Sequence, residues 1–172
     1  MKKHIVLIGL PGSGKSTVGR LVADRLHAGF VDVDSILNRK EAKPIAMIFA
    51  EKGESAFREM ERKEMEAALA NEPAVVSPGG GWAAQPGALE TAKAAAYVVY
   101  LKTRPETAAA RAAPSGTRPV LMGEDPETQM RALIKEREPF YLRADAKVET
   151  DKQTAEQVAA EVVRLAQTSA GW

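Results

Sequence analysis

The sequence predicts an α/β fold, a five-stranded and mainly parallel sheet flanked by helices, and three observations carry that prediction. Short apolar runs alternate with stretches of helical period along the whole chain. Strands separated by helices imply right-handed crossovers, which make neighbouring strands parallel. The first run, His4-Ile5-Val6-Leu7-Ile8, is a short block of Ile, Val and Leu closed by Gly9, the pattern of a strand buried on both faces. It leads directly into "GLPGSGKST" at residues 9–17, which fits G-x-x-x-x-G-K-[ST] with Gly9, Gly14, Lys15 and Ser16 at the fixed positions.

The elements follow in order. Residues 4–9 form the first strand, and Lys15 to His27 a helix with Val18, Leu21, Val22 and Leu26 at helical spacing. Phe30–Val33 is a second strand, running out through Asp34. Short helices are predicted around 35–41 and 44–51, and a longer one from Glu54 to Ala70. Ala74–Ser77 is a third strand ending in Pro78-Gly79-Gly80-Gly81, and a helix near 86–94 precedes the strand Tyr97–Leu101. Thr103-x-x-Glu106 with Pro105 is a helix-start signature. Residues 112–124 hold Pro114, Gly116, Pro119 and Gly123 and are expected to form a mobile loop. Asp125-Pro126 opens a helix through Leu142, with aspartate as cap and proline in its first turn. Lys147–Glu149 is the last strand, and Thr154-x-x-Gln157 caps a final helix whose Val158, Ala159, Val162, Val163 and Ala166 share a face.

Composition bounds the function. The 172 residues suffice for one ordinary domain with a core, and 45% apolar with 27% charged residues is the balance of a soluble globular protein. A net charge of +1 carries no polyanion signal, so no nucleic-acid partner is expected. The absence of cysteine excludes disulfides and thiolate metal sites. Lys2 and Lys3 before an apolar run resemble the start of a signal peptide, but the run is short and continues straight into the glycine loop. No apolar stretch approaches the roughly 20 residues of a membrane span. A soluble, cytoplasmic protein is expected.

The glycine loop has the chemistry of a phosphate cradle. Glycines let backbone amides approach phosphate oxygens, and the helix beginning at Lys15 turns its free N–H groups toward the same anion. Gly12, Ser13, Gly14, Lys15, Ser16 and Thr17 are therefore candidate ATP contacts, with Lys15 reaching the terminal phosphates and Ser16 able to ligate Mg²⁺. Asp32 and Asp34 lie two apart, so an extended chain points both carboxylates the same way. They suit a metal ion, a substrate hydroxyl or one of each; a solvated turn capping the next helix is the alternative. After the third strand stand Ser77 and three glycines rather than a metal-assisting aspartate. They admit a ligand against the backbone, or simply form a tight turn.

Together these residues resemble the shikimate kinases, small nucleoside-monophosphate-kinase-like enzymes that phosphorylate the 3-hydroxyl of shikimate with MgATP. The resemblance spans roughly residues 4–165 and rests on "GLPGSGKST", "FVDVD", "GESAFREME", "SPGGGW", "GTRPVL" and "REPFY" in order. It implies a single P-loop kinase domain over residues 1–172, with an acceptor-binding helical region at about 33–61 and a mobile lid at about 112–124. It implies a monomer and a step of chorismate and aromatic amino acid biosynthesis, with shikimate and ATP as the partners. Carried over by position, Asp34 contacts the acceptor hydroxyls and orients or deprotonates the attacking one. Asp32 holds the Mg²⁺ shell with Ser16 as direct ligand and Ser77 behind them. Arg58 and Arg137 clamp the substrate carboxylate, Glu61 holds Arg58, and Gly80 and Gly81 pack backbone against the ring. Arg118 closes over the transferring phosphate, Arg111 stacks on adenine, and Gln153 joins the ATP contacts. Lys15, Asp34 and Arg118 are then the catalytic set.

Each arginine also has a plainer reading. Arg58 has Glu54 and Glu61 on its own helix, Arg111 stands at a helix end, and Arg137 lies between Glu136 and Glu138. Arg118, between Thr117 and Pro119, is the hardest to explain structurally. Trp82 is bulky for its place after the glycines and either packs beneath the sheet end or narrows the acceptor pocket. Met47 is read as local packing, Met60 and Met65 as core, and His4 and His27 as bystanders. The competing functions are a kinase of the same architecture for another small acceptor, such as gluconate or a nucleoside monophosphate, and a nucleotide-binding regulator.

Overall fold

The computed structural model describes residues 1–112 and 125–172. Five strands, β1 (His4–Ile8), β2 (Phe30–Asp32), β3 (Val75–Ser77), β4 (Ala96–Lys102) and β5 (Ala146–Glu149), form one sheet in the order β2-β3-β1-β4-β5. Every pairing is parallel. The order places β1 at the centre and reverses direction of progression there, so β1 and β3 open a crevice at their carboxyl ends.

The helices are α1 (Lys15–Leu26), α2 (Val33–Glu41), α3 (Ile45–Lys52), α4 (Glu54–Ala70), α5 (Ala88–Ala92), α6 (Pro105–Ala112), α7 (Pro126–Tyr141) and α8 (Ala155–Ser169), with a 3-10 turn at Trp82–Ala84. The strands separate two cores by their period of two. Ile5 and Leu7 of β1 pack with Val18, Val22, Val158 and Val162 of α1 and α8. Val6 and Ile8 face the other way, toward Phe57, Met65, Met130 and Tyr141 of α4 and α7. Both faces of β1 are thus covered, which accounts for its unbroken apolar run.

Three local expectations change. The second strand stops at Asp32 because Asp32 is the N-cap of α2, its Oδ1 accepting the Ser35 N–H at 3.3 Å. Asp34 therefore lies in the first helical turn, and strand alternation does not set its direction. Thr103 does not cap α6; its hydroxyl pairs with that of Thr150 at 2.5 Å, and Asp151, just after the neighbouring strand β5, serves the helix start. Asp151 accepts from the Arg104 N–H at 3.0 Å and the Thr107 hydroxyl at 2.9 Å. Met47, expected to pack, is 49% exposed on α3. The caps at Asp125 and Thr154 form as predicted, the latter as a full capping box with Gln157.

His4 is buried and structural. Its Nδ1 accepts the Ala74 N–H at 3.1 Å and its Nε2 lies 3.2 Å from the Leu69 carbonyl oxygen, tying β1 to the end of α4. None of the helices of the described residues is long and apolar enough to cross a membrane.

Candidate active site

The phosphate loop joins β1 to α1. Gly14, at φ 93°, is the N-cap that lets the chain turn into the helix. Gly12, at φ 82°, packs so closely on α6 that a methyl group there would stand 2.3 Å from the Ala108 carbonyl oxygen. The loop is thereby seated against the helix that carries Arg111. Lys15 is buried, and its ammonium donates to the carbonyl oxygens of Gly9 at 2.8 Å and Leu10 at 2.9 Å. Those bonds hold the ammonium against the backbone of the loop. Ser13 is buried at 1% exposure, with its Oγ making no hydrogen bond to the described residues.

Ser16, in the first turn of α1, donates its hydroxyl to Asp32 Oδ2 at 2.7 Å. Asp32 is registered beside Ser77 of β3, so two hydroxyls and a carboxylate meet at adjacent strand ends. A cavity of about 630 Å³ opens over them, lined by Gly12, Gly14, Lys15, Ser16, Thr17, Asp32, Asp34, Ser77 and Arg111 among others. The two aspartates thus share the cavity although the helix, not strand alternation, presents Asp34. Among the described residues no cluster of three or more His, Cys, Asp or Glu could hold a metal ion. Ser16 and Asp32 supply two hard oxygens, the donor set of Mg²⁺ that takes its other ligands from phosphate and water.

The glycine corner after β3 gathers the remaining candidates. A methyl group on Gly79 would lie 2.3 Å from Glu61 Oε2 and 3.0 Å from Asp34 Oδ1. One on Gly80 would lie 3.0 Å from Arg137 Nη1 and 3.3 Å from Pro11 of the phosphate loop, and one on Gly81 2.4 Å from Arg58 Nη2. Three successive glycines are needed because four charged side chains press on them. Arg58 Nη1 and Glu61 Oε1 are 2.9 Å apart, and Glu54 stands 3.8 Å from Arg58 Nε. The plain ion-pair reading of Arg58 therefore holds together with its place at the corner. Arg137 is not on an exposed face: its Nη1 is buried and makes no hydrogen bond to the described residues.

Arg111 borders both the large cavity and a smaller one of about 200 Å³, shared with Ser13, Thr17, Thr150, Gln153 and Val158. Asp151 fixes this second wall. Burial raises its carboxyl, but the Arg104 N–H, the Thr107 hydroxyl and the Arg104 guanidinium outweigh that and hold it below the ordinary aspartate range. Trp82 lies elsewhere. It is 4% exposed, belongs to the larger core, and borders a third cavity together with Arg58, Met65, Leu69 and Ala92. Arg118 and the expected lid, apart from Ala112, lie outside the described residues.

Sequence reasoning missed Arg20, Asn38 and Thr150. Arg20 and Asn38 line the large cavity four residues after Ser16 and Asp34, a helical spacing that marks them. Thr150 lacked such a signal because its place depends on the partner Thr103, 47 residues away.

Comparison with known proteins agrees with this geometry. Residues 11–167 match the family model "Shikimate kinase". A shikimate kinase of Mycobacterium avium is 42% identical over 172 residues, covering 99% of this chain and 97% of that protein. One from Caldanaerobacter subterraneus is 38% identical over 162 residues, covering 94% and 95%. A solved structure, the shikimate kinase of Acinetobacter baumannii in complex with shikimate, superposes with a TM-score of 0.91 at 34% identity, covering 98% of this chain and 94% of that one. Matches of that extent, over a phosphate loop, an aspartate pair and an arginine-bracketed glycine corner in family order, show that this chain belongs to the shikimate kinase family.

Proposed function

We propose that this protein transfers the terminal phosphoryl group of ATP to the 3-hydroxyl of shikimate, giving shikimate 3-phosphate and ADP. The observation that carries this reading is the glycine corner, where Asp34 and the two arginines converge beside the phosphate loop. An acceptor bearing a carboxylate and several hydroxyls calls for forked cations at one end and an acceptor oxygen at the other. Arg58 and Arg137 supply the cations, and Asp34 takes or orients the hydroxyl proton. Gly80 and Gly81 offer backbone to the ring.

Phosphoryl transfer itself needs positioning and charge stabilisation more than covalent help. Lys15 leaves its carbonyl partners for the terminal phosphates, and the amides of Gly12 to Thr17 hold the rest of the chain of phosphates. Ser16, with Asp32 beside it, would hold Mg²⁺, which would supply charge neutralisation at the phosphate oxygens. Arg111 and Gln153 line one small cavity, which we assign to the adenine. Arg118 is assigned to the transferring phosphate on its place in the motif order. We read residues 1–172 as one monomeric, cytoplasmic domain, with the acceptor region at about 33–61 and the lid at about 112–124.

MgATP-dependent ADP release measured with shikimate, gluconate, a nucleoside monophosphate or no acceptor tests the proposal. Fast turnover with shikimate alone is expected. Turnover with another acceptor in its place would overturn the assignment of the clamp, and nucleotide binding without acceptor-dependent turnover would overturn the kinase reading.

A further inference from the structure

Tyr141 is the last residue of α7 and has no exposed surface. Its hydroxyl donates to the carbonyl oxygen of Gly80. The ring is held from the side by Tyr100, with centroids 5.0 Å apart, and Tyr100 in turn donates to Glu138 Oε2 at 2.6 Å. Arg137 precedes Tyr141 by one helical turn and presses on the same glycine from another side, 3.0 Å from a Gly80 methyl position. Helix α7 therefore grips Gly80 with two side chains, one on its carbonyl and one on its Cα.

The grip on the carbonyl has a consequence for the next residue. The carbonyl of Gly80 and the N–H of Gly81 belong to one planar trans peptide, so they point in opposite directions. With the carbonyl drawn toward Tyr141, the Gly81 N–H is aimed away from it. That N–H makes no hydrogen bond to the described residues. Two neighbouring glycines resist rotation of their shared peptide less than any other pair, so without an anchor this N–H has no fixed direction.

We infer that Tyr141 is a positioning residue of the acceptor site, fixing the Gly80–Gly81 peptide so that the Gly81 N–H meets the acceptor beside Arg137. It rests on the reading that the acceptor lies at the glycine corner. Tyr141 touches neither substrate and acts through the backbone it holds.

Tyr141→Phe keeps the ring and removes the hydroxyl. Loss of one aimed donor should raise KM for shikimate about threefold to tenfold while KM for ATP stays within about twofold. Tyr100→Phe is the control: it also removes a buried hydroxyl, but not one bound to Gly80, and should lower Tm without moving KM for shikimate. A Tyr141→Phe enzyme with lowered Tm and unchanged KM for shikimate would reduce Tyr141 to a packing residue and overturn the inference, as would an equal rise in both KM values. Arg58→Ala and Arg137→Ala in the same assay separate the two levels. If both leave KM for shikimate unchanged, the acceptor reading falls and the inference with it. If they raise it and Tyr141→Phe does not, only the role of Tyr141 falls.

Discussion

Arg58 and Glu61 stand one turn apart on α4, with Nη1 and Oε1 separated by 2.9 Å and Glu61 fully buried. A buried pair adds little net stability against an apolar replacement, but breaking it strands the surviving charge. Arg58→Ala should raise KM for shikimate about tenfold to a hundredfold, the loss of one charge-assisted contact, and leave KM for ATP nearly unchanged. Glu61→Ala should cost roughly 3 kcal/mol of stability and raise the same KM, because the guanidinium loses its anchor. The double variant should lose less than the two singles together, since they share one interaction. Denaturant unfolding and acceptor kinetics on the three proteins check this; strict additivity would mean that Glu61 does not hold Arg58.

Asp34 and Lys15 separate acceptor chemistry from donor chemistry. Asp34→Asn keeps the shape and removes the carboxylate charge, so kcat should fall by about 10²-fold or more while ATP binding persists. Lys15→Ala should lower turnover with any acceptor, because its ammonium serves the phosphates. Nucleotide titration alongside steady-state kinetics checks both. Retained turnover in Asp34→Asn would remove it from the catalytic set.

Asp151 joins the loop after β5 to the start of α6, the helix that ends in Arg111 and packs on Gly12. Asp151→Ala removes a helix cap worth about 1 kcal/mol and should raise KM for ATP more than KM for shikimate. The lowered carboxyl also fixes a sign. Stability from this group is present above the ordinary aspartate value near 4 and is lost as pH falls through the depressed folded value. The variant should therefore lose less stability than the parent as pH falls below about 4. Acid unfolding curves of the two proteins test that difference.

The order of elements and most of the site were legible because both rest on local patterns. The phosphate loop is one contiguous motif, and the caps at Asp125 and Thr154 use side chains three residues from their targets. Asp32 and Asp34 both line the cavity, but strand alternation accounts only for Asp32, because its own capping bond starts α2 and ends the strand before Asp34. What escaped were contacts between distant segments. Thr103 looked like a local cap but pairs with Thr150, and Tyr141 ends a helix whose sequence carries no sign of Gly80, 61 residues away. The direction of Trp82 was equally hidden, because either side of the corner could have received an indole.

Trp82 packs into the core and borders the cavity that Arg58 lines, not the one that holds Asp34. Trp82→Leu should lower Tm by several degrees, as expected when a large core side chain is cut back, and leave the choice of acceptor and KM for shikimate close to the parent values. Turnover with gluconate or a larger acceptor appearing in this variant would place the indole in the acceptor pocket after all.

Tyr100 gives the alkaline counterpart. Burial, and then the hydrogen bond and charge of Glu138, raise its phenol well above the ordinary tyrosine value. The raised folded value means that the unfolded chain ionises first. The stability from this group is whole below about pH 10 and declines as pH climbs from there toward the folded value. Tyr100→Phe cannot ionise, so its stability should fall less steeply above pH 10 than that of the parent, although it starts lower for want of the Glu138 bond. Lysines titrate in both proteins alike, and the difference between the two curves isolates the phenol. Parallel curves from pH 9 to pH 11 would mean that Tyr100 ionises as readily in the folded protein as in the unfolded chain.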